Sequence, residues 1–198
     1  MVDDATLLAV IVTVLVAITG YFATYLNNLS IARRNDRLKR VNRQISDFYG
    51  PLFALVHTTN TAWEYFRQHW GTDRPYYWPN ASAEEAAAWR LWMEEVFMPK
   101  NLKMEKIIVE NIDLIDEPEI PNCLLDLLAH VAAYKTVVKR WEEGDFREHT
   151  TDINFPRDEL LNYVEDKYKK LKAQQLHDLE ELDKAWSEKL GRPKKKVL

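Results

Sequence analysis

The sequence predicts an all-α protein: one N-terminal transmembrane helix continuing into a basic stalk, then an antiparallel cytoplasmic helical bundle with a long C-terminal helix. Three observations carry that fold class. No charged residue occurs from Ala5 to Ala32. Arg33, Arg34, Arg37, Lys39, Arg40 and Arg43 follow at once. Beyond them apolar residues recur at spacings of three and four, the period of a helix face, and alternation at period two is absent outside the apolar run.

The first element is the transmembrane helix over residues 5–26. At about 1.5 Å per residue it spans roughly 33 Å, against a hydrocarbon core of about 30 Å. A cleavable signal peptide is the competing reading, and it needs a basic start and small residues at a cleavage site. Here Asp3 and Asp4 precede the run, and Tyr21, Phe22 and Tyr25 occupy its end. Tyr21 and Tyr25 suit an interfacial aromatic belt, and the Lys/Arg excess lies on the C-terminal side. The positive-inside rule therefore puts residues 1–4 outside, and the stalk 27–50, the helical domain 51–190 and the basic tail 191–198 in the cytoplasm. Lys194, Lys195 and Lys196 in that tail join the Arg33 to Arg43 band as expected contacts for anionic lipid headgroups, each cation contributing about 1 kcal/mol near the surface. The chain as a whole carries a net charge of −4. With two basic clusters inside that total, the body between them is acidic and repels phosphate backbones, so no nucleic-acid partner is expected.

In the stalk, Leu38, Val41, Ile45, Phe48, Leu52 and Leu55 share one helical face. Pro51 removes a backbone donor and predicts a kink or short break, after which a helix runs to about Trp70. "GTDRPYYWPNAS" reads as a loop. Ser82 and Glu85 have the form of a capping box and open the next helix, which Pro99 bends or restarts and which continues to about Ile115. "DEPEIP" is a turn. Pro121 then suits the first turn of a helix striped by Leu124, Leu128, Val131, Val138 and Trp141, ending near Gly144. After "DFREHTTDINF", Pro156 opens the final helix, whose expected stripe is Leu160, Val164, Tyr168, Leu171, Leu179, Leu182 and Trp186. This helix is expected to return antiparallel along the stalk, bringing the basic tail to the bilayer.

The motifs of catalysis are scarce. The five glycines are too dispersed for a phosphate-cradling loop, and a lone cysteine, Cys123, forms no zinc pattern and no internal disulfide. No metal, no cofactor and no catalytic residue is expected. Asp126 and His130 stand four apart on a predicted helix, spacing that suits a shared metal or proton, although a hydrogen-bonded histidine at a core edge has the same spacing. Asp145 and His149 repeat it in a loop, and Tyr134 completes the set from which an enzyme would have to be built. The seven tryptophans are more distinctive. Trp63, Trp70, Trp78, Trp89 and Trp92 bracket the first long loop, and a polar face of His57, Asn60, Thr61 and Glu64 lies nearby. Trp63, Trp78, Trp89 and Trp92 with His57 and Glu64 form the candidate ligand site, the alternative being a loop locked onto two helices by buried rings.

The stretches "VNRQISDFYGPLFALVHTTNTAWEYFR", "WRLWMEEVFMPKNLKMEKIIVENIDLI" and "LAHVAAYKTVVKRWEEGDFREHT" resemble a group of uncharacterised bacterial proteins with one N-terminal membrane helix and a helical cytoplasmic domain. The resemblance spans most of the chain and implies a single-pass bacterial inner-membrane setting. It carries no activity, cofactor or catalytic residue. The expected function is a membrane-anchored, non-enzymatic interaction or oligomerisation module, with a coiled-coil-like stalk and a protein partner of its cytoplasmic bundle. The alternative is a membrane-tethered sensor of a small ligand or peptide that uses the aromatic cluster. A homodimer would pair through the membrane segment, where Gly20 and Thr24 have the small-xxx-small form, the alternative being that the stripe from Leu38 to Leu55 is spent on the final helix of the same chain.

Overall fold

The computed structural model describes residues 3–70 and 81–189, and among them every regular element is a helix. The helices are α1 (Asp4–Arg43), α2 (Gly50–Trp70), α3 (Ala83–Trp92), α4 (Met98–Glu110), α5 (Asn122–Glu142) and α6 (Arg157–Lys189). They fall into two compact units, Met1–Val41 with Gln174–Leu198, and Asn42–Ala173.

In the first unit, the apolar part of α1 has a mean hydropathy of 2.3 over its most apolar window, and none of that window is buried against protein. It is long and apolar enough to cross a membrane. The C-terminal part of α6 lies against the part of α1 that follows, joined by an Arg34–Glu181 ion pair at 3.6 Å.

In the second unit the two internal prolines do not break their helices. Residues Gln44–Tyr49 and Met93–Phe97 instead form π-turns, placed just before Pro51 and Pro99. In each case the residue before the proline donates its N–H five residues back, Gly50 to Ile45 and Met98 to Met93. A proline ring clashes with the carbonyl four residues earlier and offers it no donor, and the wider turn relieves both problems. Gly50 is needed for this: a Cβ there would lie 2.4 Å from the Ile45 carbonyl oxygen. The capping box of Ser82 and Glu85 forms as expected. α4 stops at Glu110, short of the expected Ile115, where Asn111 turns its side-chain amide back to the Ile107 carbonyl at 3.0 Å. Gly144, at φ 81°, closes α5.

The core of this unit gathers Phe48, Leu52, Val56 and Phe66 with Trp89, Phe97, Met104, Ile108, Leu124, Leu127, Val131, Leu160 and Val164. α5 buries Leu127 and Val137 fully and leaves the expected Leu128 and Val138 half-buried. Three contacts order α6 against α2: Arg157 with Glu64 at 2.7 Å, Glu165 with His57 at 4.0 Å, and Tyr168 stacked on Phe53 at 4.7 Å between ring centroids. As the number rises on one helix it falls on the other, so the pair is antiparallel. Lys167 fastens the turn after α4 to α6 through Asp116 and Glu117, at 2.7 and 2.6 Å.

Candidate functional site

Helix spacing assembles the walls of a cavity of about 420 Å³ inside the second unit. α2 gives Thr59, Asn60 and Trp63, and α5 gives His130 and Tyr134, each set within one helical turn. Trp89, Met93, Phe97 and Asn101 follow one another at intervals of four. In a plain α-helix such a series rotates about 40° per step. The π-turn at Met93–Phe97 opposes that drift, so all four face the same space.

The remaining wall is the connection between α5 and α6, and side chains from the helices hold it in place. Trp89 donates from Nε1 to the His149 carbonyl at 2.7 Å, and Trp141 donates likewise to Glu148 at 2.7 Å. The His130 Nδ1 lies 2.7 Å from the Ile153 carbonyl. A carbonyl only accepts, so Nδ1 carries the proton and Nε2 is left as an acceptor. Burial pushes the His130 pKa below its ordinary 6.5, against the opposite pull of the Ile153 carbonyl, so the ring is neutral. Burial likewise raises the Tyr134 phenol well above its usual range and keeps it protonated.

Two polar side chains at this wall lack partners. Asn101 is 2% exposed and Thr59 6%, and neither Asn101 Oδ1 nor Thr59 Oγ1 has a hydrogen-bond partner among the described residues. Polar atoms in a folded interior are paired as a rule, so two orphans on one cavity mark a place where something polar is missing. Arg157, the one full charge among the described residues of the lining, is already answered by Glu64 at 2.7 Å and Asp158 at 3.1 Å. Glu64 in turn holds Arg67 at 2.7 Å. Among the described residues the cavity wall is therefore largely apolar, with a few polar groups and no unpaired charge.

Comparison with family models, curated proteins and solved structures finds no match to this chain. The site thus stands on its own geometry.

Of the sequence-predicted ligand residues, Trp63 and Trp89 line the cavity, with ring centroids 6.0 Å apart and edge to face. Trp92 does not. It packs on Phe66 and Phe97, at 5.6 and 6.0 Å, as part of the core behind the site. Glu64 acts through Arg157 and does not itself line the space. His57 lies elsewhere, its ring tilted against that of Phe53 with centroids 4.2 Å apart. Trp78 lies outside the described residues. The pairing of Asp126 with His130 does not form: Asp126 is exposed, and the His130 Nδ1 is engaged by Ile153. Asp145 is held by Arg147 at 2.7 Å. Cys123 is buried, with its thiol pushed up to about 11 by burial. Among the described residues no cluster of His, Cys, Asp and Glu is placed to hold a metal ion.

In the basic band, Lys39 pairs with Asp36 at 3.7 Å, and Arg43 with Asp47 at 3.9 Å and Asp113 at 3.7 Å. Arg40 is exposed. Lys194, Lys195 and Lys196 lie outside the described residues.

Sequence reasoning missed Thr59, Asn101 and the wall from Thr150 to Phe155. A signal for the first two was present: each is a polar residue on an otherwise apolar stripe, Thr59 after Leu52 and Val56, and Asn101 between Phe97 and Met104.

Proposed function

We propose that this chain is a single-pass protein of the bacterial inner membrane, its N-terminus outside, whose cytoplasmic helical domain binds a small uncharged molecule. The observation that carries the reading is the neutral, aromatic-walled cavity of about 420 Å³ with two unpartnered buried oxygens. That size is within the range of small-molecule sites, which combine apolar walls with a few placed polar groups. Trp63, Trp89 and Phe97 suit the faces of a flat ring, and Asn101, Thr59 and the His130 Nε2 suit N–H or O–H groups on its edge. A fully charged ligand would meet no compensating charge inside. The role is recognition without turnover, the site acting as a sensor.

The test uses the full chain in detergent micelles, titrated with indole, adenine and thymine as flat, uncharged N–H donors and with benzoate as a charged control. Quenching or shifting of tryptophan fluorescence together with a raised melting temperature supports the reading. No response to any neutral probe, or a larger response to benzoate, refutes it.

A second reading, a membrane-anchored interaction module, has its own support. On the C-terminal part of α6, Leu176, Leu179 and Trp186 are 58%, 47% and 54% exposed and follow at helical spacing. Such a stripe suits a protein partner, and a ligand-bound domain would then report through it.

A further inference from the structure

A second cavity, of about 390 Å³, lies within the unit formed by α1 and the C-terminal part of α6. Its lining runs from Leu26, at the end of the apolar segment, through Arg33, Arg34 and Arg37 on α1, and includes Asp178 and Glu181 on α6. Leu26 and Arg37 are separated by roughly 16 Å along a helix axis. Taking 5–26 as membrane-spanning, as proposed above, the cavity starts at the hydrocarbon edge. It then crosses the headgroup layer, which is some 5–8 Å thick on each side.

The charges in it are unevenly matched. Arg34 has Glu181, while Arg33 and Arg37 have no carboxylate partner among the described residues. Two arginines one helical turn apart on the same cavity, without carboxylate partners among the described residues, suit a phosphate diester. Asp178 has the opposite need. It is 4% exposed, its Oδ1 accepts from the Gln174 amide at 2.8 Å, and its Oδ2 is buried without a partner. A buried carboxylate short of a hydrogen bond is satisfied best by a cationic N–H donor.

One ligand chemistry meets both demands at this depth. We propose that the cavity binds the phosphoethanolamine headgroup of a lipid, its phosphate on Arg33 and Arg37 and its ammonium on Asp178. A phosphocholine headgroup has the cation but no N–H, and a phosphoglycerol headgroup has donors but no cation.

The experiment is native mass spectrometry of the full chain released from micelles containing equal amounts of phosphatidylethanolamine, phosphatidylcholine and phosphatidylglycerol with identical acyl chains. The expected result is retention of phosphatidylethanolamine over the other two by about tenfold, the ratio that one charge-assisted hydrogen bond supplies. Asp178→Asn should abolish the preference over phosphatidylcholine. The double variant Arg33→Gln/Arg37→Gln, at two exposed positions, should reduce retention of all three lipids even if Asp178→Asn fails to fold. Equal retention by the wild type, an unchanged preference in Asp178→Asn, or undiminished retention in the double arginine variant overturns the proposal. Retention of glycerophosphoethanolamine in place of the lipid at equal concentration overturns the assignment to a membrane lipid. Recovery of the chain in the soluble fraction without detergent would instead overturn the membrane reading on which the proposal rests.

Discussion

Replacing Asn101 by leucine separates a binding role from a structural one. The two side chains have the same branching, so Asn101→Leu removes the polar atoms while keeping the skeleton, and the cavity beside it accepts the bulkier methyl groups. Asn101 is 2% exposed, and its Oδ1 has no hydrogen-bond partner among the described residues. An unsatisfied buried acceptor costs about 1–3 kcal/mol, and leucine removes that cost. The ligand-free variant should therefore be more stable by about 1–3 kcal/mol, a rise in melting temperature of roughly 2–12 °C for a domain of this size. Binding of the neutral probes should weaken by about three- to tenfold, the loss of one ordinary hydrogen bond. Differential scanning fluorimetry of the full chain in detergent gives the first number, and tryptophan fluorescence titration the second. A variant destabilised by more than about 1 kcal/mol would refute the reasoning, since Asn101 would then be serving the fold.

The pH dependence follows from His130, whose burial lowers its pKa from 6.5. Below 6.5 the unfolded chain takes up a proton that the folded chain refuses, so stability is full above that value and falls as pH falls toward the folded pKa, at up to about 1.4 kcal/mol per pH unit. Denaturant titrations from pH 7.5 to 5 should show a shallower decline for His130→Gln, with a remainder from His149, whose pKa is lowered by burial and by Arg90. Equal slopes would contradict the assignment. Gly50→Ala forces a methyl to 2.4 Å from the Ile45 carbonyl and should destabilise the domain by about 2 kcal/mol or more, read as a shift of the denaturation midpoint. Gly20 has no neighbour within 4 Å, so Gly20→Leu should leave the melting temperature unchanged and lower self-association in a membrane two-hybrid assay. Unchanged association removes the membrane seam from the dimer. A reporter active only in the cytoplasm should work when fused after Leu198, and activity of an external reporter there would reverse the topology.

The helices were legible because long apolar stripes at three-four spacing, proline punctuation and the Ser82–Glu85 cap all act locally. What lay beyond reach was how the prolines are accommodated. Pro51 and Pro99 read as kinks, because the lost donor and the ring clash are visible in a sequence while the compensating π-turn is not. That difference moved the site. Without the turn at Met93–Phe97, Asn101 would have rotated away from Trp89, and the cavity would have had a different wall. The tryptophans could be seen as a cluster, but which of them face space and which face the core depends on rotations of this kind. Trp89 reaches the cavity and Trp92 does not.

The final helix shows the same effect on a longer scale. Its expected stripe placed Leu179 and Trp186 on the packed face, yet they are 47% and 54% exposed. The inward residues are Leu160 and Val164, then half-buried Leu171, then Asp178 and Leu182. Leu160, Leu171 and Leu182 are spaced by eleven, or about 3.67 residues per turn, close to the natural period of a straight helix. Leu179 stands eight residues after Leu171, a step that overshoots two helical turns by about 80°, whereas Asp178, seven after it, stays within about 20° of that face. An ionisable residue in such a seam would ordinarily be selected against, because burying a carboxylate without a partner is costly. Asp178 nevertheless sits there, beside Arg33 and Arg37 on the cavity wall. A seam position that needs a cation and a helix face that needs an anion are both answered by one molecule that carries both charges, and it is this pairing that makes phosphoethanolamine a better fit than a purely anionic headgroup.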